Sequence, residues 1–364
     1  MIKEKNILII SDRRPGHFNQ SMGIAEQVKN AIIDVVVINF SSKFSDFCGR
    51  LFGFFHRFIS FNRNLSDKAL KILLNKDNYR DIVSKKPDII ISAGSSVAVV
   101  NILLGQLNDA YSVVCMTPSI IGTSPFDLAI VPEHDNPPKK SNIFKTIGAP
   151  NRINSDFVNK QTVLWNKIVD FNLQELNRPV VSLLIGGSNS FFDMKLDMIT
   201  MLVEQSKKFV VKNNGTLLVT TSIRTPEDIK QMLKNKLSDK SQCPLLIIAE
   251  EWDENPVPMM VNVSDIVIVT EDSVSMISEA VSGNERVLVA ALENHKNKKL
   301  PRYFKVTRLL NKEGYIKYLE YNYLKNGKLE VLLKDLYKAR DQKLILHEAA
   351  RAAEEIEKRF FSKG

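Results

Sequence analysis

The sequence predicts an α/β protein made of two Rossmann-like, doubly wound domains that face each other across a cleft. Its 364 residues are more than one hydrophobic core usually serves. Short β-branched segments alternate with helical patterns through both halves, which is typical of βαβ units around a parallel sheet. A polar stretch separates the two series, and an amphipathic pattern ends the chain. Together these three observations predict two domains and a C-terminal helix.

We expect a first domain over residues 1–150, a linker over 151–178, a second domain over 179–325 and a helical tail over 326–364. Within the linker, the pattern predicts a connecting helix at Trp165–Leu176. In the first domain, strands are predicted at Ile7–Ser11, Val35–Phe40, Asp88–Ala93, Val113–Thr117, Leu128–Pro132 and Phe144–Ile147, and helices at Gln20–Ile32, Ser66–Leu74 and Val97–Leu107. In the second, strands are predicted at Val180–Ile185, Leu217–Thr221, Leu245–Ala249, Ile266–Thr270 and Val287–Ala290, and helices at Lys195–Val211, Pro226–Leu237 and Ser275–Val281.

The composition limits the class of protein and its partners. With 44% hydrophobic and 25% charged residues, the chain is globular and not disordered. A net charge of +9 predicts an anionic partner, which charge alone does not identify. No nucleic-acid-binding module is present, so nucleic acid is not an expected partner. The three cysteines, Cys48, Cys115 and Cys243, are scattered singly, as is typical of a reducing compartment. No stretch approaches the roughly 18 consecutive apolar residues of a membrane-spanning helix. We therefore expect a cytoplasmic protein, with peripheral contact at the inner face of the cytoplasmic membrane left open.

The loop after the first strand carries the first candidate site. Asp12, Arg14, Gly16, His17 and Gln20 follow Ile7–Ser11 at the start of a helix, where anions are favoured. Histidine titrates near neutral pH, so His17 is a candidate general base, with Asp12 to orient it. Arg14, Gly16 and Gln20 are candidates on the acceptor side. A capped turn with no catalytic role is the alternative.

Two loops of the second domain have features of a phosphate site. Gly186 and Gly187 let the backbone approach a ligand, and Ser188 adds a donor. After the next strand, the hydroxyls of Thr221 and Ser222 precede Arg224, whose guanidinium is suited to a pyrophosphate. A plain turn and a helix cap remain the alternatives.

The loop after Ile266–Thr270 carries the densest group of polar residues. Two acids end a buried strand, and serines begin the following helix, whose N-terminus favours phosphate. Glu279 lies further along that helix, where a carboxylate can bind both ribose hydroxyls. Asp272 as a simple N-cap and Glu279 as a surface residue are the alternatives. The candidates here are Glu271, Asp272, Ser273, Ser275, Met276 and Glu279.

Phe44–Phe61 is an aromatic stretch with seven phenylalanines and the basic residues Arg50 and Arg57. Its apolar residues recur at helical spacing, so it is either a helix at the interface of an anionic membrane or a helix packed on the sheet. Elsewhere the sequence has no DxD pair, and its five histidines are not spaced as metal-binding histidines are. We therefore expect neither a metal ion nor a bound cofactor.

These motifs resemble the bacterial and plant mitochondrial fission Elm-like family, also described as GtrOC-type glycosyltransferases. The matching segments run in order along most of the chain. They are Asp12 with Arg14-Pro15-Gly16-His17 and Gln20, Pro87-Asp88, Val131-Pro132-Glu133-His134-Asp135, Gly148-Ala149-Pro150 with Arg152, Ile185-Gly186-Gly187-Ser188, Thr220-Thr221-Ser222 with Arg224-Thr225-Pro226, and Val269 to Met276 with Ser278-Glu279-Ala280.

The resemblance implies a GT-B fold and transfer of a sugar from a nucleotide-sugar donor, expected to be UDP-linked, to a lipooligosaccharide or another surface glycan. The diphosphate is then expected at Gly187, Ser188, Arg224, Ser273 and Ser275, with the ribose at Glu279. A hydrolysing nucleotide-sugar epimerase of the same fold is one alternative. Because the plant members are named for organelle division, a non-catalytic interaction protein is another.

Overall fold

A computed structural model describes residues 4–41, 62–293, 305–339 and 344–362. Within it the chain divides into two compact units. The first combines Met1–Arg152 with His347–Gly364, and the second is Ile153–Leu346.

The first unit is a parallel six-stranded sheet covered by helices on both faces. Its strands are β1 (Lys5–Ser11), β2 (Ala31–Val37), β3 (Ile89–Ala93), β4 (Tyr111–Cys115), β5 (Leu128–Pro132) and β6 (Ile143–Thr146), in the order β2-β1-β3-β4-β5-β6. Its helices are α1 (Pro15–Ala25), α2 (Arg63–Leu73), α3 (Lys76–Ser84), α4 (Ala98–Asn108) and, at the end of the chain, α13 (Glu348–Phe360).

Alternation along β1 shows why this sheet is buried on both sides. Leu8 and Ile10 pack in one apolar cluster, with α2 and α4, whereas Ile7 and Ile9 pack in another, with α1 and α13. All four side chains are at most 1% exposed. A strand that is buried on both faces has a continuous apolar sequence, as β1 does.

The second unit repeats this architecture. Its strands are β7 (Val180–Leu184), β8 (Thr216–Thr220), β9 (Leu245–Ile247), β10 (Ile266–Thr270), β11 (Val287–Ala290) and β12 (Ile316–Leu319), in the order β12-β11-β10-β7-β8-β9, all parallel. Its helices are α5 (Ser155–Trp165), α6 (Leu196–Lys212), α7 (Glu227–Lys236), α8 (Val257–Val263), α9 (Val274–Gly283), α10 (Lys305–Lys312), α11 (Tyr321–Lys325) and α12 (Leu329–Lys338). The predicted fold class, two parallel sheets with flanking helices and a C-terminal helix, is confirmed.

Each sheet reverses its strand order at one position. In the first sheet the reversal lies between β1 and β3, and in the second it lies between β7 and β10. At such a point the connections leave toward opposite faces of the sheet, so a crevice opens at the carboxyl ends of the two strands. The topology of each unit therefore marks one position where a ligand is expected.

Two boundaries in the first unit differ from the prediction. The helix predicted at Gln20–Ile32 begins at Pro15 and ends at Ala25, because proline is well suited to the first helical position. The apolar residues after Asn30, which turns the chain at a φ of 58°, begin β2 instead. Helical periodicity in the sequence had continued across this turn.

The connector and the tail also differ from the prediction. The connecting helix is Ser155–Trp165 and not Trp165–Leu176, because Asn154 caps it by accepting a hydrogen bond from Phe157 N over 3.0 Å. The tail contains two helices in different units: α12 packs in the second unit, and α13 completes the first. In α13, Phe360 stacks on Tyr111 with the ring centroids 4.2 Å apart.

The predicted aromatic helix at Phe44–Phe61 lies outside the described residues. Among the residues that are described, no helix is long and apolar enough to cross a membrane.

Candidate functional sites at the two strand-order reversals

The reversal in the first unit brings together Asp12, His17 and Ser96. Asp12 follows β1, and Ser96 lies in the loop after the neighbouring strand β3. Ser96 Oγ donates a hydrogen bond to Asp12 Oδ2 over 2.5 Å, and His17 Nδ1 lies 2.9 Å from the same oxygen. His17 approaches from the first turn of α1. The two residues predicted as catalytic are therefore in direct contact.

The electrostatics of this group favour a charged Asp12. Burial acts to raise the pKa of the Asp12 carboxyl group. The opposing effects are larger: a hydrogen bond from Ser96, together with the charge and the hydrogen bond of His17, lowers that pKa below its usual value. Because Nδ1 of His17 faces the carboxylate, Nε2 is the ring nitrogen that can accept a proton from a substrate. The arrangement is that of a general base and its orienting carboxylate.

Gly94 provides the space that the imidazole occupies. Its φ of +76° lies in the left-handed region that favours glycine. A Cβ at this position would lie 2.4 Å from Cε1 of His17. Gly94 and Ser96 were missed in the sequence analysis. A signal was present, because the strand end here carries a glycine and hydroxyls, as the other candidate loops do, in the run Ala93-Gly94-Ser95-Ser96.

The three acceptor-side candidates have different surroundings. The side chain of Arg14 is 70% exposed, and its Nε lies 3.7 Å from Asp12 Oδ2, so it is available to an anionic ligand. Gly16 is the second residue of α1. Gln20 is buried and donates from Nε2 to Met116 Sδ over 3.5 Å, so it packs α1 against the end of β4.

Asp272 is the centre of the group at the second reversal. Its Oδ2 accepts hydrogen bonds from Gly187 N and from Arg224 Nη2, each over 2.9 Å. Its Oδ1 accepts one from Thr270 Oγ1 over 2.7 Å. One carboxylate thus joins the loops that follow β7, β8 and β10. Three predicted site residues, Gly187, Arg224 and Asp272, meet at this point.

The two glycines of this group are required by close backbone approaches. A Cβ on Gly186 would lie 2.2 Å from the carboxylate oxygens of Asp272, and a Cβ on Gly187 would lie 2.1 Å from the carbonyl oxygen of Arg224. Thr225 Oγ1 also donates to the carbonyl oxygen of Gly186. Any larger residue would separate the loops after β7 and β8.

The charges of this group are unequally exposed. The Asp272 side chain is completely buried, whereas that of Arg224 is 45% exposed. Burial raises the pKa of Asp272 above its usual value, because it outweighs the hydrogen bonds from Gly187 and Thr270 and the charge of Arg224. A guanidinium has five N–H donors, so Arg224 can hold Asp272 and still donate to a ligand.

Helix α9 begins beside this carboxylate. Ser273 Oγ caps it by accepting from Met276 N over 3.4 Å. Ser275 is exposed in the first turn, and the half-buried Glu279 lies in the second. The first N–H groups of a helix have no acceptor within the helix and carry partial positive charge, so this end favours an anion.

Glu271 and Thr221 make their contacts outside the group around Asp272. Glu271 Oε2 accepts from Tyr318 OH over 2.7 Å and from Leu292 N over 3.4 Å, and burial raises the pKa of Glu271. Thr221 Oγ1 accepts from Ala249 N over 3.1 Å. These two side chains therefore link neighbouring strand ends.

Ser188 and Ser222 bond within their own loops. Ser188 Oγ accepts from Met194 N over 3.0 Å, and Ser222 Oγ accepts from Arg224 N over 3.2 Å. Both hydroxyls thereby fix loop shape next to the Asp272 group. No cluster of three or more His, Cys, Asp or Glu side chains with the geometry for a metal ion occurs in the described part of the chain.

The two parallel sheets, each with its polar group at the strand-order reversal, define a GT-B-fold protein. The chain belongs to the family described as Mitochondrial fission ELM1, whose model matches residues 15–360. It is 22% identical over 317 residues to an uncharacterized protein of Rickettsia prowazekii, RP120, covering 78% of this chain and 82% of that one. It is 25% identical over 193 residues to the mitochondrial fission protein ELM1 of Arabidopsis thaliana, covering 47% of this chain and 43% of the plant protein.

Solved structures share this fold at low sequence identity. A UDP-GlcNAc 2-epimerase from Methanocaldococcus jannaschii superposes with a TM-score of 0.57 at 11% identity, covering 100% of both chains. Another UDP-N-acetylglucosamine 2-epimerase gives 0.54 at 15% identity, covering 100% of this chain and 98% of that one. The S. aureus MnaA–UDP co-structure gives 0.52 at 14% identity, covering 97% and 94%. The family and the fold are thus established for this chain.

Proposed function

We propose that this protein is a metal-independent glycosyltransferase that moves a sugar from a UDP-linked donor to a lipooligosaccharide or another cell-surface glycan. The observation that carries the proposal is the Asp272 carboxylate, which accepts hydrogen bonds from the Gly187 backbone and from Arg224 directly beside the N-terminus of α9, at the strand-order reversal of the second unit. The solved structures that share this fold include UDP-GlcNAc 2-epimerases and a complex with UDP, which supports a nucleotide-sugar ligand.

The donor diphosphate binds at the start of α9. Its charge is met by the N–H groups of the first turn near Ser273 and Ser275 and by the exposed part of the Arg224 guanidinium. Gly187 and Ser188 form the opposite wall, and Glu279 accepts hydrogen bonds from the ribose hydroxyls. Negative charge on the leaving diphosphate increases during transfer, so fixed donors at this position stabilise the transition state more than the ground state.

The first unit supplies the base. His17 Nε2 takes the proton from the acceptor hydroxyl, and Asp12 stabilises the imidazolium that forms. The acceptor oxygen then forms a bond to the anomeric carbon of the sugar, while the bond from that carbon to the diphosphate oxygen breaks and UDP leaves. The exposed Arg14 side chain binds an anionic part of the acceptor.

His17→Ala tests the assignment of the base. We expect UDP release from UDP-sugar in the presence of lipooligosaccharide to be lost, by about 100-fold or more. UDP binding, measured by calorimetry on the same variant, should stay within about twofold of wild type because His17 lies in the other unit. An equal loss of turnover and UDP binding would contradict the assignment.

A hydrolysing UDP-sugar epimerase is the second candidate, favoured by the UDP-GlcNAc 2-epimerases among the solved structures of this fold. The two reactions differ in their need for an acceptor. A transferase consumes donor only when a glycan acceptor is added, whereas the epimerase turns over donor alone. NMR of a UDP-sugar incubated with the protein, with and without lipooligosaccharide, distinguishes them.

A further inference from the structure

Helix α2 of the first unit has a mixed apolar and basic face that is open to solvent. Leu65, Lys68 and Ile72 follow one another at spacings of three and four residues, so they lie along one face of the helix. Leu65 is 42% exposed and Ile72 is 65% exposed. The other face is buried through Ser66, Ala69, Leu70 and Leu73. We refer to Leu65, Lys68 and Ile72 as the α2 stripe.

The described residues on either side of the aromatic stretch, Ser41 and Asn62, lie at the two ends of this helix. Ser41 N donates to the carbonyl oxygen of Leu73 over 2.9 Å, and Ser41 Oγ donates to that of Ile72 over 3.0 Å. At the other end, Asn62 caps α2 by accepting from Leu65 N over 2.9 Å. Ser41 and Asn62 are therefore at opposite ends of α2, and the sequence between them contains seven phenylalanines.

Two lysines of α2 accompany the exposed aliphatic side chains. Lys68 lies within the stripe, and Lys71 is exposed one turn further along the same helix. The acid nearest in sequence, Asp67, accepts a hydrogen bond from Tyr79 OH over 2.6 Å. Lysine next to exposed aliphatic side chains suits a lipid interface, where the aliphatic groups enter the acyl boundary and the ammonium groups contact phosphate.

We propose that the α2 stripe lies on the surface of an anionic membrane. Leu65 and Ile72 enter the interface, and Lys68 and Lys71 bind lipid phosphates. The stripe shares no residue with the His17 and Asp272 groups, so the proposal does not depend on the reaction assigned to them.

Co-sedimentation of the full chain with vesicles tests this surface. One set of vesicles contains phosphatidylglycerol and phosphatidylcholine, and the other contains phosphatidylcholine alone. Each lysine near an anionic surface strengthens binding about fivefold, so Lys68→Glu with Lys71→Glu should weaken binding to the anionic vesicles about 25-fold or more. Leu65→Ser with Ile72→Ser should weaken it about tenfold or more.

A matched control comes from the second unit. Val331 on α12 is 60% exposed, and Lys334 is exposed one turn further along the helix. Val331→Ser with Lys334→Glu makes one replacement of each kind on an exposed helix face and should leave vesicle binding unchanged. Melting temperatures of all variants should match wild type, because every replaced side chain is exposed.

Three outcomes would overturn the proposal. The first is no binding of the wild-type chain to anionic vesicles, and the second is binding that the α2 variants do not weaken more than the control does. The third is a concentration-dependent dimer, seen by light scattering, that Leu65→Ser with Ile72→Ser dissociates, because a second copy would then cover the stripe.

Discussion

Asp272→Ala removes the carboxylate that joins three loops of the second unit. The buried N–H of Gly187 loses its acceptor, which costs about 1–3 kcal/mol. Arg224 is partly exposed and can be solvated by water, so the full penalty of about 3–5 kcal/mol for breaking a buried pair does not apply. With the hydrogen bond from Thr270 included, we expect the free energy of unfolding to fall by about 2–4 kcal/mol.

Nucleotide binding should fall as well, because Arg224 is no longer held toward the start of α9. A hydrogen bond to a charged group contributes about 1.5–3 kcal/mol, so UDP affinity should decrease by about tenfold or more. Asp272→Asn keeps the shape of the side chain and can accept from Gly187 N. It should therefore retain most of the stability while still weakening UDP binding, since it lacks the charge that orients Arg224.

Asp265 provides the matched control at the other end of the same strands. It accepts from Val180 N over 2.7 Å and from Arg178 Nη1 over 2.8 Å, just as Asp272 accepts from a backbone N–H and an arginine. Asp265 precedes β10 and Val180 begins β7, so this group lies at the amino edge of the sheet. Asp265→Ala should destabilise the protein without weakening UDP binding.

Urea denaturation measures the stability of each variant, and calorimetric titration with UDP measures the affinity. The reasoning is refuted if Asp272→Ala binds UDP as tightly as wild type. It is refuted equally if Asp265→Ala weakens UDP binding to the same extent, since the loss would then follow from general destabilisation of the unit.

Three further predictions concern the first unit and the cysteines. Gly94→Ala places a Cβ 2.4 Å from the His17 ring, so kcat should fall about 100-fold with KM little changed, whereas a similar change in both would point to general misfolding. Because the pKa of Asp12 is lowered in the folded protein, its carboxylate stabilises the fold above its ordinary pKa of 3.8, and this stabilisation is lost as the pH falls below that value. The difference in unfolding free energy between wild type and Asp12→Asn should therefore shrink on acidification. A difference that stays constant with pH would contradict this prediction. Burial raises the thiol pKa of Cys115 and of Cys243 to about 12. In a Cys48→Ser variant, which retains only these two thiols, the folded protein should therefore not react with a thiol reagent at about pH 8 until it is denatured. Rapid labelling of the folded variant would contradict this prediction.

The sequence allowed the fold class and most strands to be predicted, because strands buried on both faces are continuous apolar runs. Ile266–Thr270 and Val287–Ala290 have the predicted bounds. Several short elements were missed, namely β12, α3, α8, α10 and α11. In β12, Ile316–Leu319 has only two buried residues, so its pattern is too short to distinguish from a loop.

The candidate sites could be located from the sequence only as separate loops. The contact between Asp12 and His17 could be predicted, because five residues separate them across a strand end and a helix start. The contacts of Asp272 with Gly187 and Arg224 could not be predicted, because these residues are far apart in sequence and meet only through the strand order of the sheet. The role of Gly94 could not be predicted either, since it depends on the position of an imidazole from another loop.

The most direct test of the central claim is calorimetric titration of the wild-type chain with UDP and then with other nucleoside diphosphates. We predict micromolar binding that Arg224→Ala and Glu279→Ala weaken and that Asp265→Ala leaves unchanged. Absence of binding to every nucleoside diphosphate would contradict a nucleotide-sugar site in the second unit and would favour an interaction role instead of transfer.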